Sequence, residues 1–228
     1  MSLRPAVLLA GATGLVGGLA LRRWLSADEG PLLLAPVRRA LPVSHPRLVQ
    51  LPGGWDQAAL AQAVADSGAR VTAFASCLGT TIRQAGSREA FLAVDRDLVL
   101  ALAGIARRLG ARQALMVSSV GASAQSGNFY LRVKGEAERG LSALAFERVD
   151  CLRPGLLLGE RAERRPAEAI GQRLAPLANA LARGPLQRYR AIDAADVAAA
   201  MVALCGQPGE GRFVHEYAAL RTLAQAGA

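Results

Sequence analysis

The chain has 228 residues, of which 52% are hydrophobic, 20% charged and 4% aromatic; this composition excludes disordered, collagen-like and disulfide-scaffold classes and can bury a sizeable core. The formal net charge of +9 would suit a polyanion, but 26 of the 27 basic residues are scattered arginines, a pattern of coding bias, and few aromatics are available to stack on nucleic-acid bases. Three isolated cysteines and two histidines show no CxxC or comparable spacing, so neither a disulfide framework nor a metal site is expected.

The first predicted strand, 6–10, runs into a predicted helix, 15–26, through Gly11-Ala12-Thr13-Gly14-Leu15-Val16-Gly17. The apolar run 5–20 is broken by four glycines, lacks a cleavage site and is too short to span a bilayer, which leads to the expectation of a cytoplasmic protein with reduced thiols. No basic amphipathic helix carries aromatic anchors, so no membrane partner is expected either. A glycine turn between strand and helix is the setting of a dinucleotide fingerprint, here spaced GxxGxxG. Gly11 allows the tight turn, Gly14 a close backbone approach to pyrophosphate, and Gly17 close packing of helix on sheet, with Thr13, Leu15 and Val16 lining the same turn.

Strand two, 32–37, ends in Arg38-Arg39, while Asp28 and Glu29 stand before it, at the wrong end to hold a ribose hydroxyl. Two guanidiniums at the carboxyl end suit a 2′-phosphate, so NADP(H) is favoured and NAD(H) is the weaker alternative.

A third strand at 47–51, a helix at 57–66 and a fourth strand at 70–75 follow, then a polar loop, 76–87, and one long helix, 88–109. Strand five is expected at 113–118, a small-residue loop at 120–127, a helix at 129–145 and strand six at 148–153. The last third holds arginine-rich loops, a helix around 167–182, a helix at 194–204 introduced by Asp193 and Asp196, and a strand at 211–217. Strands alternating with amphipathic helices predict an α/β fold, a Rossmann-type doubly wound parallel sheet with a small C-terminal substrate-side extension. The whole of 1–228 is expected to form a single domain, with 155–190 completing the substrate-side rim.

Tyr130 and Lys134, four residues apart, share one helix face, and Lys134 is the one lysine of the chain. A phenol titrates near about 10 in water, so a tyrosine that moves protons at neutral pH needs a cation beside it. Lys134 can supply that charge and donate to ribose hydroxyls from a compact head. Ser119, past strand five, can hold a carbonyl beside Tyr130, with Ser118 the alternative. The set Ser119, Tyr130 and Lys134 reads as hydride-transfer chemistry on a small carbonyl or alcohol. Cys77 and Cys151 read as small core residues.

These elements resemble the short-chain dehydrogenase/reductase superfamily. Cys77-Leu78-Gly79-Thr80-Thr81, Val94-Asp95-Arg96-Asp97, Ser118-Ser119-Val120-Gly121-Ala122, the stretch from Asn128 to Glu136, and Arg153-Pro154-Gly155 are similar to its atypical branch, typified by the Tat-interacting oxidoreductase-like proteins. The resemblance covers about residues 6–200. It implies NADP(H) binding, a Ser-Tyr-Lys site at Ser119, Tyr130 and Lys134, Leu78, Gly79 and Thr80 along the cofactor, and Pro154 beside the nicotinamide. Asp95 departs from the asparagine that many members carry there, and the large lid of sugar-nucleotide epimerases is not expected in the segment of about 75 residues after strand six. A homodimer enters by family analogy alone.

Seven arginines between 161 and 190, against Glu163 and Glu168, suggest an anionic substrate met by Arg161, Arg164 or Arg165, beside the blander reading of a solvated loop. The expected function is an NADP(H)-dependent oxidoreductase, and the alternative is a non-catalytic NADP(H) sensor or scaffold.

Overall fold

The computed structural model describes residues 3–53, 56–159 and 184–226. Strands β1 (Arg4–Ala10), β2 (Leu32–Val37), β3 (Leu48–Pro52), β4 (Ala69–Ser76), β5 (Gln113–Val117), β6 (Arg148–Leu152) and β9 (Gly211–His215) form one sheet. Its order is β3-β2-β1-β4-β5-β6-β9 and every pairing is parallel. Two short strands, β7 (Leu157–Leu158) and β8 (Ile192–Asp193), pair separately.

Strand period sorts side chains to two faces. Ala6, Leu8 and Ala10 of β1 pack toward α2 (Gln57–Ser67), α5 (Val99–Arg108) and α6 (Phe129–Ala143), through Leu60, Leu102 and Leu141. Val7 and Leu9 pack the other way, on α1 (Leu15–Ser26), α7 (Ala194–Leu204) and α8 (Tyr217–Ala226), through Trp24, Met201 and Leu220. Helices therefore cover both faces, which is why β2 is buried along its full length. Truncating Leu33 or Leu34, each fully buried, would cost about 2–5 kcal/mol. Pro36 is tolerated inside β2 because pairing with β1 stops at Leu34, so its missing N–H deserts no ladder bond there.

The Rossmann-type expectation holds, and three local expectations are corrected. The polar loop after β4 contains a one-turn helix, α3 (Ile82–Ala85), capped by the Thr81 side chain. The single helix expected at 88–109 is three pieces: α4 (Arg88–Leu92), a π-turn (Ala93–Leu98) and α5. The last strand stops at His215 and Tyr217 opens α8, whose buried Leu220 and Ala224 keep helical spacing. Asp193 caps α7 by accepting the Ala195 N–H at 2.8 Å, while Asp196 sits in the first turn and pairs with Arg221. The helix expected around 167–182 lies outside the described residues.

Candidate active site

Parallel strands aim all their carboxyl ends at one rim, and the order reverses direction between β1 and β4. At that switch point the glycine turn meets the end of β4. The Cys77 N–H donates to Ala10 O at 2.8 Å, and a Cβ on Gly11 would stand 2.6 Å from the Cys77 carbonyl carbon. Gly11 also has φ +82°, which a side chain would resist. A Cβ on Gly17 would overlap the Gly11 carbonyl oxygen. Gly14 is the N-cap of α1, and the helix has neither a side-chain cap nor an acidic residue in its first turn. The exposed Thr13 and Gly14 and the half-buried Leu15 thus border first-turn amides that lack a hydrogen-bond partner among the described residues, with the positive end of a helix dipole behind them, and Val16 packs inward. This cradle fits a pyrophosphate.

Arg38 and Arg39 are exposed in the bend that follows β2, on the same rim, with no ion-pair partner among the described residues. A depression of about 490 Å³ lies instead at the opposite rim, lined by Asp28, Glu29 and Arg47 among others. It has no glycine cradle and none of the hydroxyl or ammonium groups singled out above. Among the described residues no cluster of side chains could hold a metal ion, and no helix is long and apolar enough to cross a membrane.

Lys134 is buried, its Nζ 2.7 Å from Asp95 Oδ1 and 3.5 Å from Leu78 O. The other carboxylate oxygen of Asp95 accepts the Thr80 N–H at 2.8 Å. The α6 lysine is therefore held against the Leu78-Gly79-Thr80 loop that leaves β4. Lys134 and Asp95 form an ion pair by distance, but the contact is off hydrogen-bonding directions, leaving Oδ1 without a directed partner. Tyr130, one turn earlier and half-buried, rests its ring on Phe91 with centroids 5.8 Å apart.

Ser119 lies just past β5, its Oγ 3.4 Å from Val120 O, and among the described residues no hydrogen bond joins it to Tyr130. Ser118 is buried and its hydroxyl has no partner among the described residues. The loop after β5 is fixed from two sides. Val120 N–H donates to the carbonyl of the buried Pro154 at 3.0 Å, and Gly135 of α6 packs directly on the Ser123-Ala124 backbone. Behind Pro154 the chain returns to the glycine turn, where a Cβ on Gly159 would lie 3.3 Å from the Leu15 side chain. The structure thus brings the glycine turn, Leu78 to Thr80, Ser119, Tyr130, Lys134 and Pro154 to one rim. Arg161, Arg164 and Arg165 lie outside the described residues.

Burial pushes the Cys77 thiol up to about 12, with the Lys134 ammonium pulling the other way. Its sulfur sits 3.5 Å from Met201 Sδ. Sequence reasoning noticed Asp95 only as a departure from asparagine and missed its pairing; an acid on the apolar stripe between Phe91 and Val99 was the available signal.

No protein-family model matches the chain. The FMP52 protein of Saccharomyces cerevisiae is 35% identical over 181 residues, covering 79% of this chain and 78% of that protein. The chain belongs to the FMP52 family. The fmp52 protein of Emericella nidulans is 42% identical over 142 residues, 60% of this chain and 61% of that protein. Protein HTATIP2 of Rattus norvegicus is 44% identical over 97 residues, 42% of this chain and 40% of that protein. That relative bears out the likeness to the Tat-interacting branch of atypical short-chain dehydrogenases/reductases. Among solved structures, MoeE5 in complex with UDP-glucose and NAD superposes with a TM-score of 0.66 at 18% identity, covering 92% of this chain and 74% of MoeE5. WbmG of Bordetella bronchiseptica in complex with NAD gives 0.63 at 18% identity, with 94% and 73% covered. These likenesses establish the fold.

The cytoplasmic expectation is corrected by the same comparison. The fungal family members are named mitochondrial proteins, which points away from a cytoplasmic location. An apolar span marks a secretory signal, whereas organelle import reads amphipathic, arginine-rich segments, which carry no such span.

Proposed function

We propose that the protein is a nicotinamide-nucleotide-dependent oxidoreductase that interconverts a carbonyl and an alcohol on a small molecule. The observation that carries the reading is the placement of Lys134, buried against the Leu78–Thr80 loop and one turn below Tyr130, on the rim that also bears the glycine turn. The free amides at the start of α1 would hold the pyrophosphate, and Lys134 would donate to ribose hydroxyls. The chemistry a bound nicotinamide supplies is hydride transfer. Tyr130 would give its phenolic proton to the carbonyl oxygen as the alcohol forms, or take it back in the reverse direction, while the Ser119 hydroxyl donates a hydrogen bond to that oxygen. Solved neighbours of the same fold carry NAD; the exposed guanidiniums of Arg38 and Arg39 support NADP(H) for this chain.

The test is Tyr130→Phe, which removes the proton and keeps the ring on Phe91. Turnover of a carbonyl panel should fall about 10²–10⁴-fold while nucleotide affinity stays within about twofold. Unchanged turnover defeats the assignment. A second reading, a sensor that binds the nucleotide without turnover, is favoured by the carboxylate of Asp95, which offsets the Lys134 charge that Tyr130 would use. An inactive parent protein that still binds the nucleotide supports that reading instead.

A further inference from the structure

The connection from β2 to β3 carries Arg38 and Arg39 and is held at both ends. At its start Val37 O accepts the Gly53 N–H at 3.0 Å. At its far end His45 accepts the Arg47 N–H through Nδ1 at 3.0 Å and the Leu48 N–H through its carbonyl at 2.9 Å. Between these ends, every hydrogen bond that residues 38–44 make among the described residues runs to one side chain, Gln50 of β3. Gln50 Oε1 accepts the Leu41 N–H at 2.6 Å, and Nε2 donates to Val43 O at 2.7 Å and to Leu41 O at 3.3 Å. The amide thus uses its acceptor and both donors; turned over, it would set an NH₂ against the Leu41 N–H.

Strand period puts Gln50 on the same face of β3 as Leu48, the face that packs toward α1, while Val49 and Leu51 turn to the other. The half-buried Leu41 packs on the α1 side too, so the connection folds back over the face at whose edge the glycine turn lies. Pro42, between the two anchored residues, has a fixed φ and no N–H to satisfy. Arg38, Arg39 and Ala40 are therefore strung between two held points, Val37 and Leu41.

We infer that Gln50 is a positioning residue for nucleotide preference, holding the bend so that Arg38 and Arg39 are presented together to a phosphate on the nucleotide ribose. This rests on the nucleotide site and the NADP(H) preference proposed above. The polar atoms of Gln50 are taken up by the backbone of the bend, so it acts through the arginines rather than on the ligand. Without it the next hydrogen-bonded point is His45, and the span carrying the arginines lengthens from 38–40 to 38–44. The fraction of molecules with both guanidiniums in place then falls, and NADPH affinity falls with it. NADH, which lacks that phosphate, does not register the change.

The experiment is a double-mutant cycle on the full chain: Gln50→Met, made with and without the paired changes Arg38→Ala and Arg39→Ala, and read by NADPH and NADH binding. Methionine keeps the length of the side chain and removes its amide donors and acceptor. Gln50→Met should weaken NADPH binding about three- to tenfold and NADH binding less than about 1.5-fold. In the background without the two arginines it should change NADPH binding less than about 1.5-fold further. A general fold defect would weaken both nucleotides alike, since the glycine turn serves both. Equal weakening of the two, or unchanged NADPH binding, overturns the inference. Hydrogen exchange at the Leu41 amide of the parent protein gives a readout that needs no variant to fold. By reciprocity, NADPH should slow that exchange by about the factor that loss of Gln50 costs in NADPH affinity, and NADH should not. Slowing by NADPH no greater than by NADH overturns the inference as well. A parent that binds neither nucleotide overturns this inference together with the proposed function, and one that binds both equally overturns it together with the NADP(H) preference. A parent that prefers NADPH and keeps that preference in Gln50→Met overturns this inference alone.

Discussion

The α-carbon of Gly17 faces the carbonyl oxygen of Gly11 so closely that a methyl group on Gly17 would overlap it. The turn and the first helical residues are thus one packed unit, and neighbouring glycines respond differently to the same change. Gly17→Ala must push α1 off the sheet, costing about 2–3 kcal/mol, or roughly 4–12 °C in melting temperature, and it should abolish nucleotide binding. Gly18→Ala meets Ala12 O at 3.4 Å and the flexible end of Arg22 at 3.8 Å, both ordinary contacts, and alanine favours the helix by about 1 kcal/mol, so that variant should melt at or above the parent temperature. Equal melting of the two variants would show that the turn is not packed in this way.

Glu138 on α6 is buried and gathers Arg153 of the strand-end loop, at 2.9 and 2.5 Å, with Arg212 of β9, at 2.5 Å. Glu138→Gln strips the shared counter-charge from two guanidiniums and should cost about 3–5 kcal/mol in urea unfolding. Arg212 is 41% exposed, so Arg212→Met should cost no more than about 1 kcal/mol. The reverse ranking would mean that the triad is a surface feature rather than a support for the β6–β9 edge.

Acid stability should be governed in part by Asp150, in the middle of β6. Burial pushes its carboxyl up, but hydrogen bonds from His215, Arg148 and Gln113 outweigh burial and hold it below the ordinary 3.8. A carboxyl depressed in the folded state contributes stability above its unfolded value, and that contribution is lost as pH falls through the folded value. Unfolding free energy should therefore drop steeply below about pH 4 in the parent. Asp150→Asn should be less stable at neutral pH, because Arg148 keeps no counter-charge, and should lose less over the same acid range. Parallel slopes below pH 4 would rule Asp150 out as a source of the acid sensitivity.

How far these features could be read in advance depends on whether their signal is local. The glycine turn, the burial of β2 and the Tyr130–Lys134 spacing are written within a few residues, and the structure puts them on the expected elements. Asp95 is different. Its apolar neighbours at four-residue steps marked it as an acid facing inward, but its partner is Lys134 on another helix, so the pairing exists only once α6 packs on the π-turn. The π-turn itself leaves no compositional mark within the 88–109 stretch. The helix after β9 carries its own local signal, Tyr217, Leu220, Leu223 and Ala224 on one face, but the strand-like run that leads into Tyr217 masks where it begins.

Burial pushes the thiols of Cys77, Cys151 and Cys205 each up to about 12, and Glu138 adds to the effect at Cys151. Native protein at neutral pH should react with a thiol reagent far more slowly than a free cysteine, and all three should label rapidly in urea. The raised values also set an alkaline limit. Stability from protonated thiols is complete below the unfolded value near about 8.5 and is lost as pH climbs toward the folded values. Rapid native labelling at Cys77 or Cys151 would show that the thiol is exposed to a reagent and overturn its assignment to the core.

Arg38 and Arg39 are exposed at the end of β2, with no ion-pair partner among the described residues, and in the proposed nucleotide site this strand end would meet the one phosphate by which the two nicotinamide nucleotides differ. A charge-assisted contact to that phosphate would favour NADPH over NADH by about tenfold or more, most of it at low salt. Arg38→Ala should erase the difference by weakening NADPH alone, since nothing else in NADH distinguishes the two ligands at this position. Paired titrations of parent and variant with both nucleotides measure it directly. Equal affinities in the parent would assign the guanidiniums to solvent and leave NAD(H), which neighbours of the same fold carry, as the favoured nucleotide.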